Sequence, residues 1–117
     1  MRRGEIWWTD LPVPQGSGPG YRRPAVIVSD DGFNESRIAT VIVAIITASV
    51  RLADARGNVL IKKRAGNGLA VDSVVNVSSL ATIDKRALLE PCGSVTLGQM
   101  REIDDGLRLV LGLLQPS

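Results

Sequence analysis

Two short segments of the chain combine an apolar, strand-like run with polar chemistry at one end. Arg22 and Arg23 come directly before one such run, and Thr47 and Ser49 come directly after another. A guanidinium is permanently charged and binds two phosphate oxygens through parallel N–H donors, and a hydroxyl adds a further hydrogen bond. A fold that brings these ends together would therefore make a cationic, hydroxyl-lined pocket that suits a phosphate.

The composition removes several other kinds of catalytic site. The 117 residues include no histidine and a single cysteine, Cys92. Histidine acid–base pairs, His-based metal sites and zinc clusters therefore lack their ligands. The lone cysteine suits a reducing cytoplasm because it cannot form an internal disulfide. We expect no cofactor, no metal and a cytoplasmic location, and the absence of a long apolar stretch predicts no contact with a membrane.

The length of the chain predicts one domain over residues 1–117. Its core should be aliphatic, since only 3% of the residues are aromatic. A net charge of +2 permits a polyanionic partner without demanding one. Lys62, Lys63 and Arg64 form a basic run that is interpreted as a solvated surface rather than an RNA groove.

Trp7 and Trp8 should point to opposite faces of a strand, one into the core and the other half-exposed. The half-exposed ring could stack on a base or lie in a dimer interface.

Short strands followed by one helix must position these residues. The hydrophobic patterns predict strands over 4–11, 24–29, 38–46, 57–63 and 73–83, the last as one long strand or two joined at a bend. The Gly- and Pro-rich stretch 12–23 is predicted as a loop, and Asp84 is predicted to cap a short helix through Leu89. This order of elements favours a small twisted barrel or sheet with a helix laid on it.

The last element has the clearest signature. Thr96 and Gln99 have the spacing of a capping box, which predicts a helix over 96–114. An apolar stripe then recurs at steps of three and four, which predicts that this face packs on the core. The stripe consists of Leu97, Met100, Ile103, Leu107, Val110 and Leu111.

Taken in order, these segments resemble the MazF/PemK family of toxins from toxin–antitoxin pairs. The resemblance covers nearly the whole chain and rests on 3–7, the Gly-rich loop, 23–29, Asn34, 46–49, 68–69, 72–75, 82–85 and the last helix. It implies an SH3-like small β-barrel with a C-terminal helix, a homodimer, and metal-independent, sequence-specific cleavage of single-stranded RNA. It also implies a cognate antitoxin with a disordered acidic tail that covers the RNA site.

The resemblance implies catalytic roles for Arg23, which precedes the Pro-Ala strand, and for Thr47, which opens the Thr-x-Ser element. The chain departs from some members at Asn76, Ser78, Ser79 and Ala81, where those members carry charged residues, so their RNA sequence preference does not transfer. The further candidates for substrate binding are Gln15, Gly16, Arg22, Ser49, Arg51, Asn76 and Ser78.

The expected reaction is attack of an RNA 2′-hydroxyl on the adjacent phosphorus, which gives a 2′,3′-cyclic phosphate and a 5′-hydroxyl. Arg23 would stabilise the phosphorane charge, and Thr47 would hold a phosphate oxygen or the reacting hydroxyl. The general base is not assigned, and Glu5 and Asp72 are the accessible candidates. Two alternatives stay open: a toxin of the same fold that poisons DNA gyrase, and a non-catalytic SH3-like interaction module.

Overall fold

The computed structural model describes residues 1–11 and 21–113. Six strands form one antiparallel sheet in the order β4-β5-β3-β2-β1-β6. They are β1 (Glu5–Leu11), β2 (Tyr21–Ile27), β3 (Thr40–Thr47), β4 (Val59–Ile61), β5 (Ser73–Asp84) and β6 (Leu88–Ser94). Two helices accompany them, α1 (Asp31–Asn34) and α2 (Leu97–Leu111), so the expectation of a mainly β fold with a C-terminal helix is confirmed.

The strand predictions need three corrections. Strand β4 is limited to Val59–Ile61, shorter at both ends than the predicted strand over 57–63. Strand β6 was not expected, and only a 3-10 turn over Lys85–Ala87, capped by the Asp84 carboxylate, occupies the place of the predicted short helix. Strand β2 begins at Tyr21, before Pro24, because its first residues pair with the end of β1. The long strand β5 is continuous, which confirms the first of the two predicted forms, and its pairing with β3 shifts register between Asn76 and Leu80.

The core lies on both faces of the sheet, and its buried apolar members are aliphatic as expected. Val26 points to the face that α2 covers, where Ile103 of the helix joins the same cluster. Its neighbours Ala25 and Ile27 point to the opposite face and pack with Val41. The alternation along β2 therefore anchors this strand on both sides.

The capping box of α2 is confirmed. The backbone N–H of Gln99 donates to Thr96 Oγ1 at 3.1 Å, and the backbone N–H of Thr96 donates to Gln99 Oε1 at 2.9 Å. The helix ends at Leu111, earlier than predicted, because Gly112 adopts a left-handed conformation with φ of 71°.

The apolar stripe of α2 packs on the core only at its centre. Met100, Ile103 and Leu107 contact the core, as predicted. Leu97 is 81% exposed, and Val110 and Leu111 are also exposed, so the prediction is wrong at both ends of the helix. The reason is that the sheet supports only the middle turns of α2.

Candidate active site

A pocket of about 330 Å³ opens where the first residues of β2 and the last residues of β3 meet the segment before β5. It brings together Arg23, Thr47 and Ser49, three of the four strand-end residues for which a shared pocket was considered. The other lining residues are largely apolar: Trp8, Pro24, Ile46, Ala48, Leu69, Ala70, Val71 and Ser73.

Strand pairing explains why these residues meet. Strands β2 and β3 are antiparallel, with Ala25 opposite Ile45. Extending that register toward the open end of the sheet places Arg23 opposite Thr47. Thr47 in turn pairs with Val74 of β5, which brings Ser73 to the same edge. The pocket is therefore a consequence of the sheet register.

The Arg23 side chain is exposed, and its guanidinium carbon lies 5.4 Å from the centroid of the Tyr21 ring. Its backbone is held by the buried Thr9, whose hydroxyl donates to the Arg23 carbonyl at 2.8 Å. Within residues 1–11 and 21–113, no carboxylate forms an ion pair with Arg23. Arg23 therefore lines the pocket without a competing anion from these residues.

The Thr47 hydroxyl already has a defined orientation. Its Oγ1 accepts a hydrogen bond of 3.2 Å from the Ser49 amide. Because a hydroxyl has one donor and two acceptor positions, this contact leaves the Thr47 proton available to donate. Thr47 can therefore present a hydrogen-bond donor to an oxygen bound beside Arg23.

Arg22 occupies a different place from Arg23. Consecutive residues of a strand point to opposite faces, so the two guanidinium groups separate. The Arg22 guanidinium carbon lies 4.9 Å from the centroid of the Trp8 ring, and Arg22 forms an ion pair with Glu90 of β6. Arg22 does not line the pocket, so the pocket contains a single arginine from the expected pair.

Three further residues predicted to bind substrate, Arg51, Asn76 and Ser78, do not line the pocket. Gln15 and Gly16 lie outside the described residues. Arg51 is exposed on a 3-10 turn over Val50–Asp54. Asn76 and Ser78 lie on β5, where Asn76 Oδ1 accepts from the Ser78 hydroxyl at 2.8 Å. Their proposed contacts with RNA stay predictions.

The two candidate bases have other partners. Asp72 is exposed between two lining residues, and its Oδ1 accepts from the Lys63 amide at 2.8 Å. Glu5 is half-buried, and its Oε1 accepts from the Arg2 amide and from Trp7 Nε1, each at 2.9 Å. Neither carboxylate lines the pocket.

The hydrogen bonds to Glu5 also change its acidity. Partial burial favours the neutral acid and raises the pKa. The hydrogen bonds from Trp7 and from the Arg2 amide lower the pKa, and so do the positive charges of the N-terminus and Arg2. The net result is a pKa of Glu5 below its ordinary value of 4.5. A carboxylate with a lowered pKa is a weaker base, which argues against this role for Glu5.

Sequence reasoning missed the apolar wall formed by Leu69, Ala70 and Val71. The available signal was Gly68, which has φ of 69° and lies so close to β6 that an added Cβ would approach the Cys92 carbonyl oxygen to 2.0 Å. This close approach to Cys92 holds the backbone directly before Leu69, where the apolar wall begins. The glycine alone does not reveal which strand lies against it.

Over 1–11 and 21–113, no three His, Cys, Asp or Glu side chains are grouped so that they could bind a metal ion. In the same part of the chain, no helix combines the length and the hydropathy needed to cross a membrane.

Comparison with known proteins relates the chain to one family. The family model described as the PemK-like, MazF-like toxin of type II toxin–antitoxin systems matches residues 2–111. Endoribonuclease MazF6 of Mycobacterium tuberculosis is 45% identical over 113 residues, which cover 97% of this chain and 98% of the relative.

Solved structures show the same fold. The M. tuberculosis toxin MazF-mt6 superposes with a TM-score of 0.78 at 23% identity, covering 95% of this chain and 99% of that chain. A mycobacterial endoribonuclease in complex with its cognate antitoxin gives a TM-score of 0.70 at 25% identity, covering 99% and 97%. The expected SH3-like barrel of this family is confirmed. The chain therefore belongs to the PemK-like, MazF-like toxins of type II toxin–antitoxin systems.

Proposed function

We propose that this protein is the endoribonuclease toxin of a toxin–antitoxin pair and that it cleaves single-stranded RNA by transesterification without a metal. The observation that carries the proposal is the meeting of Arg23, Thr47 and Ser49 in one pocket of a family member whose 45% identical relative is named an endoribonuclease. The absence of histidine from the sequence removes the usual acid–base pair of ribonucleases.

Arg23 stabilises the charge that develops on phosphorus. As the RNA 2′-oxygen attacks, the non-bridging oxygens gain negative charge, and the planar guanidinium donates to two of them at once. A well-placed donor of this kind contributes roughly 10²–10³ in rate. The stacking of Arg23 on Tyr21, at 5.4 Å, limits the orientations of the guanidinium before substrate binds.

Thr47 donates from its hydroxyl to a phosphate oxygen, since the Ser49 amide occupies one of its acceptor positions. An alcohol does not ionise near neutral pH, so Thr47 is not itself the base. Of the two candidate bases we favour Asp72, because it lies between two lining residues, whereas Glu5 has a lowered pKa and is the weaker base. Positioning of the reacting groups supplies the remaining acceleration.

The partners follow from the family. A structural neighbour is an endoribonuclease bound to its cognate antitoxin. We propose that the antitoxin of this protein places a disordered, acidic segment across the pocket, where carboxylates occupy the positions of RNA phosphates. We also propose that the toxin acts in the cytoplasm as a homodimer.

The test is cleavage of a mixed RNA by the pure protein, with and without excess EDTA, followed by mapping of the ends. We expect cleavage to persist in EDTA and to leave 2′,3′-cyclic phosphate and 5′-hydroxyl ends. Arg23→Ala, prepared in parallel, controls for contaminating nucleases. Loss of activity in EDTA with recovery in magnesium would remove the metal-free mechanism, and absence of any cleavage would favour the gyrase or interaction-module alternatives.

Competition tests the proposed antitoxin site. A labelled, non-cleavable RNA and an acidic peptide from the antitoxin should displace each other. Both affinities should fall with added salt, with a slope for RNA of roughly −0.7 per neutralised phosphate. Simultaneous binding without a change in either affinity would place the antitoxin elsewhere.

A further inference from the structure

The pocket has an apolar part that the chemistry at Arg23 and Thr47 does not use. Trp8, Pro24 and the wall of Leu69, Ala70 and Val71 line it together with the polar groups. A phosphate alone gains nothing from such surfaces, whereas a nucleotide presents an anionic phosphate and a flat apolar base. The mixed lining therefore fits a nucleotide with its base turned toward the apolar side.

Trp8 is the aromatic side chain of the pocket lining, and its flat ring is suited to stacking on a nucleobase. Its backbone is held on both sides, opposite Pro24 of β2 and opposite Glu90 of β6. The ring is half-buried, and the Arg22 guanidinium lies over it at 4.9 Å from the centroid. Arg22 is in turn ion-paired with Glu90. The cation over one face and the strand pairing on both sides hold the Trp8 ring in a defined orientation, so that the ring can act as a stacking surface.

We propose that Trp8 stacks on the nucleobase adjacent to the scissile phosphate and that Arg22 acts as a positioning residue for the Trp8 ring. This inference rests on the proposed function, because it assumes that the phosphate bound at Arg23 belongs to RNA. It also gives Arg22 a role different from direct phosphate binding. The Arg22–Glu90 ion pair holds the guanidinium over the ring while the ring faces the nucleotide.

The first experiment measures RNA affinity with an oligonucleotide that carries a 2′-deoxy nucleotide at the mapped cleavage site. Trp8→Leu should weaken binding by about 5- to 150-fold, the range expected for loss of one base–aromatic stack. Trp7→Phe is the matched control, because Trp7 lies next to Trp8 on β1 but packs with the opposite core cluster. Circular dichroism and thermal unfolding check that Trp8→Leu folds.

The second experiment removes the base instead of the ring. Oligonucleotides with one abasic site, placed on either side of the cut, should bind Trp8→Leu and the wild-type protein with nearly equal affinity at one of the two positions. Fluorescence provides an independent readout, because Trp8 is the remaining tryptophan in Trp7→Phe. Its emission should change when intact RNA binds and should change less with that abasic RNA.

The third experiment separates positioning by Arg22 from direct phosphate binding. Arg22→Gln should weaken binding of RNA in the wild-type background but add little in the Trp8→Leu background. Arg22→Lys should recover less than full affinity, since an ammonium keeps the charge without the planar stack. An equal effect of Arg22→Gln in both backgrounds would overturn the positioning role.

The outcomes for the inference and for the proposed function are distinct. Wild-type affinity of folded Trp8→Leu for intact RNA, in a protein that cleaves RNA, would overturn the stacking inference and leave the proposed function in place. Equal losses for Trp8→Leu on intact RNA and on both abasic RNAs would overturn it as well. Failure of the wild-type protein to bind or cleave RNA would overturn both.

Discussion

Arg23 combines a permanent charge with a planar shape, and the proposed mechanism uses both. Arg23→Lys keeps the charge but loses the paired donors, so we expect it to lose most of the cleavage rate. Arg23→Ala should lose roughly 10²–10³ or more in kcat. Single-turnover cleavage of a defined RNA measures both effects.

Arg101 provides the matched control for Arg23. It is exposed on α2, far along the chain from the pocket lining, so Arg101→Lys should cleave like the wild-type protein. Full activity in Arg23→Ala would remove this residue from the mechanism.

Glu5 gives the fold a pH dependence. Its pKa is lower in the folded protein than its ordinary value of 4.5, so its stabilising effect is complete above that value and is lost as the pH falls through the folded pKa. The side chain is 35% exposed, so water screens its charge. Its hydrogen bonds should therefore add only about 1 kcal/mol to the free energy of unfolding. Glu5→Gln should be less stable to urea at pH 7, with the difference vanishing in acid.

Glu102 is the control for this measurement, since it is exposed on α2 and has no hydrogen-bond partner among the described side chains. Glu102→Gln should unfold like the wild-type protein at both pH values. A constant difference between Glu5→Gln and the wild-type protein across the pH range would show that the carboxylate charge is not responsible.

The polar residues at the ends of two apolar runs indicated that Arg23, Thr47 and Ser49 would share a pocket if the fold joined those ends, and the family resemblance singled out Arg23 and Thr47. The positions of Arg22 and Trp8 depend on which residues face each other across β1, β2 and β6. Such pairing is a long-range property, and the types of the neighbouring residues do not determine it.

Helix α2 makes a close backbone contact with the turn before β4 at a pair of glycines, Gly106 and Gly57. A Cβ on Gly106 would lie 2.1 Å from the Gly57 carbonyl oxygen, which is backbone and cannot rotate away. Gly106→Ala should therefore push the helix outward and destabilise the fold by about 1–3 kcal/mol. Urea unfolding followed by circular dichroism measures the change.

Gly98 in the first turn of the same helix is the matched control. A Cβ there would meet only Thr96 Oγ1 at 3.9 Å, an ordinary contact. Because alanine favours a helix over glycine by up to about 1 kcal/mol, Gly98→Ala should be neutral or stabilising. Equal destabilisation by both substitutions would show that the close approach of Gly106 is not the cause.

The elements differ in how well local sequence predicts them. β-branched runs and a capping box carry strong local signals, so β3, β5 and α2 could be predicted. Strand β6 contains Glu90, Pro91 and Gly93, residue types that are depleted in strands, and it forms through pairing with β1. The exposed ends of the α2 stripe could not be predicted either, because the helix is longer than the surface that supports it.

The whole molecule presents apolar side chains that a monomer leaves in water. Leu109, Val110, Leu111 and Leu113 are all exposed at the end of α2. Since self-association would bury such surface, we expect a symmetric homodimer with about twice the chain mass of 12.5 kDa. Light scattering at micromolar concentration measures this mass, and a value equal to one chain would contradict the proposal.

The sheet order has a consequence for synthesis of the protein on the ribosome. Strand β1, among the first residues made, pairs on one side with β6, and Arg3 forms an ion pair with Asp104 of α2. The pocket itself spans residues from Trp8 to Ser73. A nascent chain lacking its last third has neither β6, which flanks β1, nor Asp104, which pairs with Arg3, so the strand that carries Trp8 lacks half of its support. We therefore expect the proposed cleavage activity to appear only late in synthesis, so that a ribosome-bound chain would not cut its own messenger.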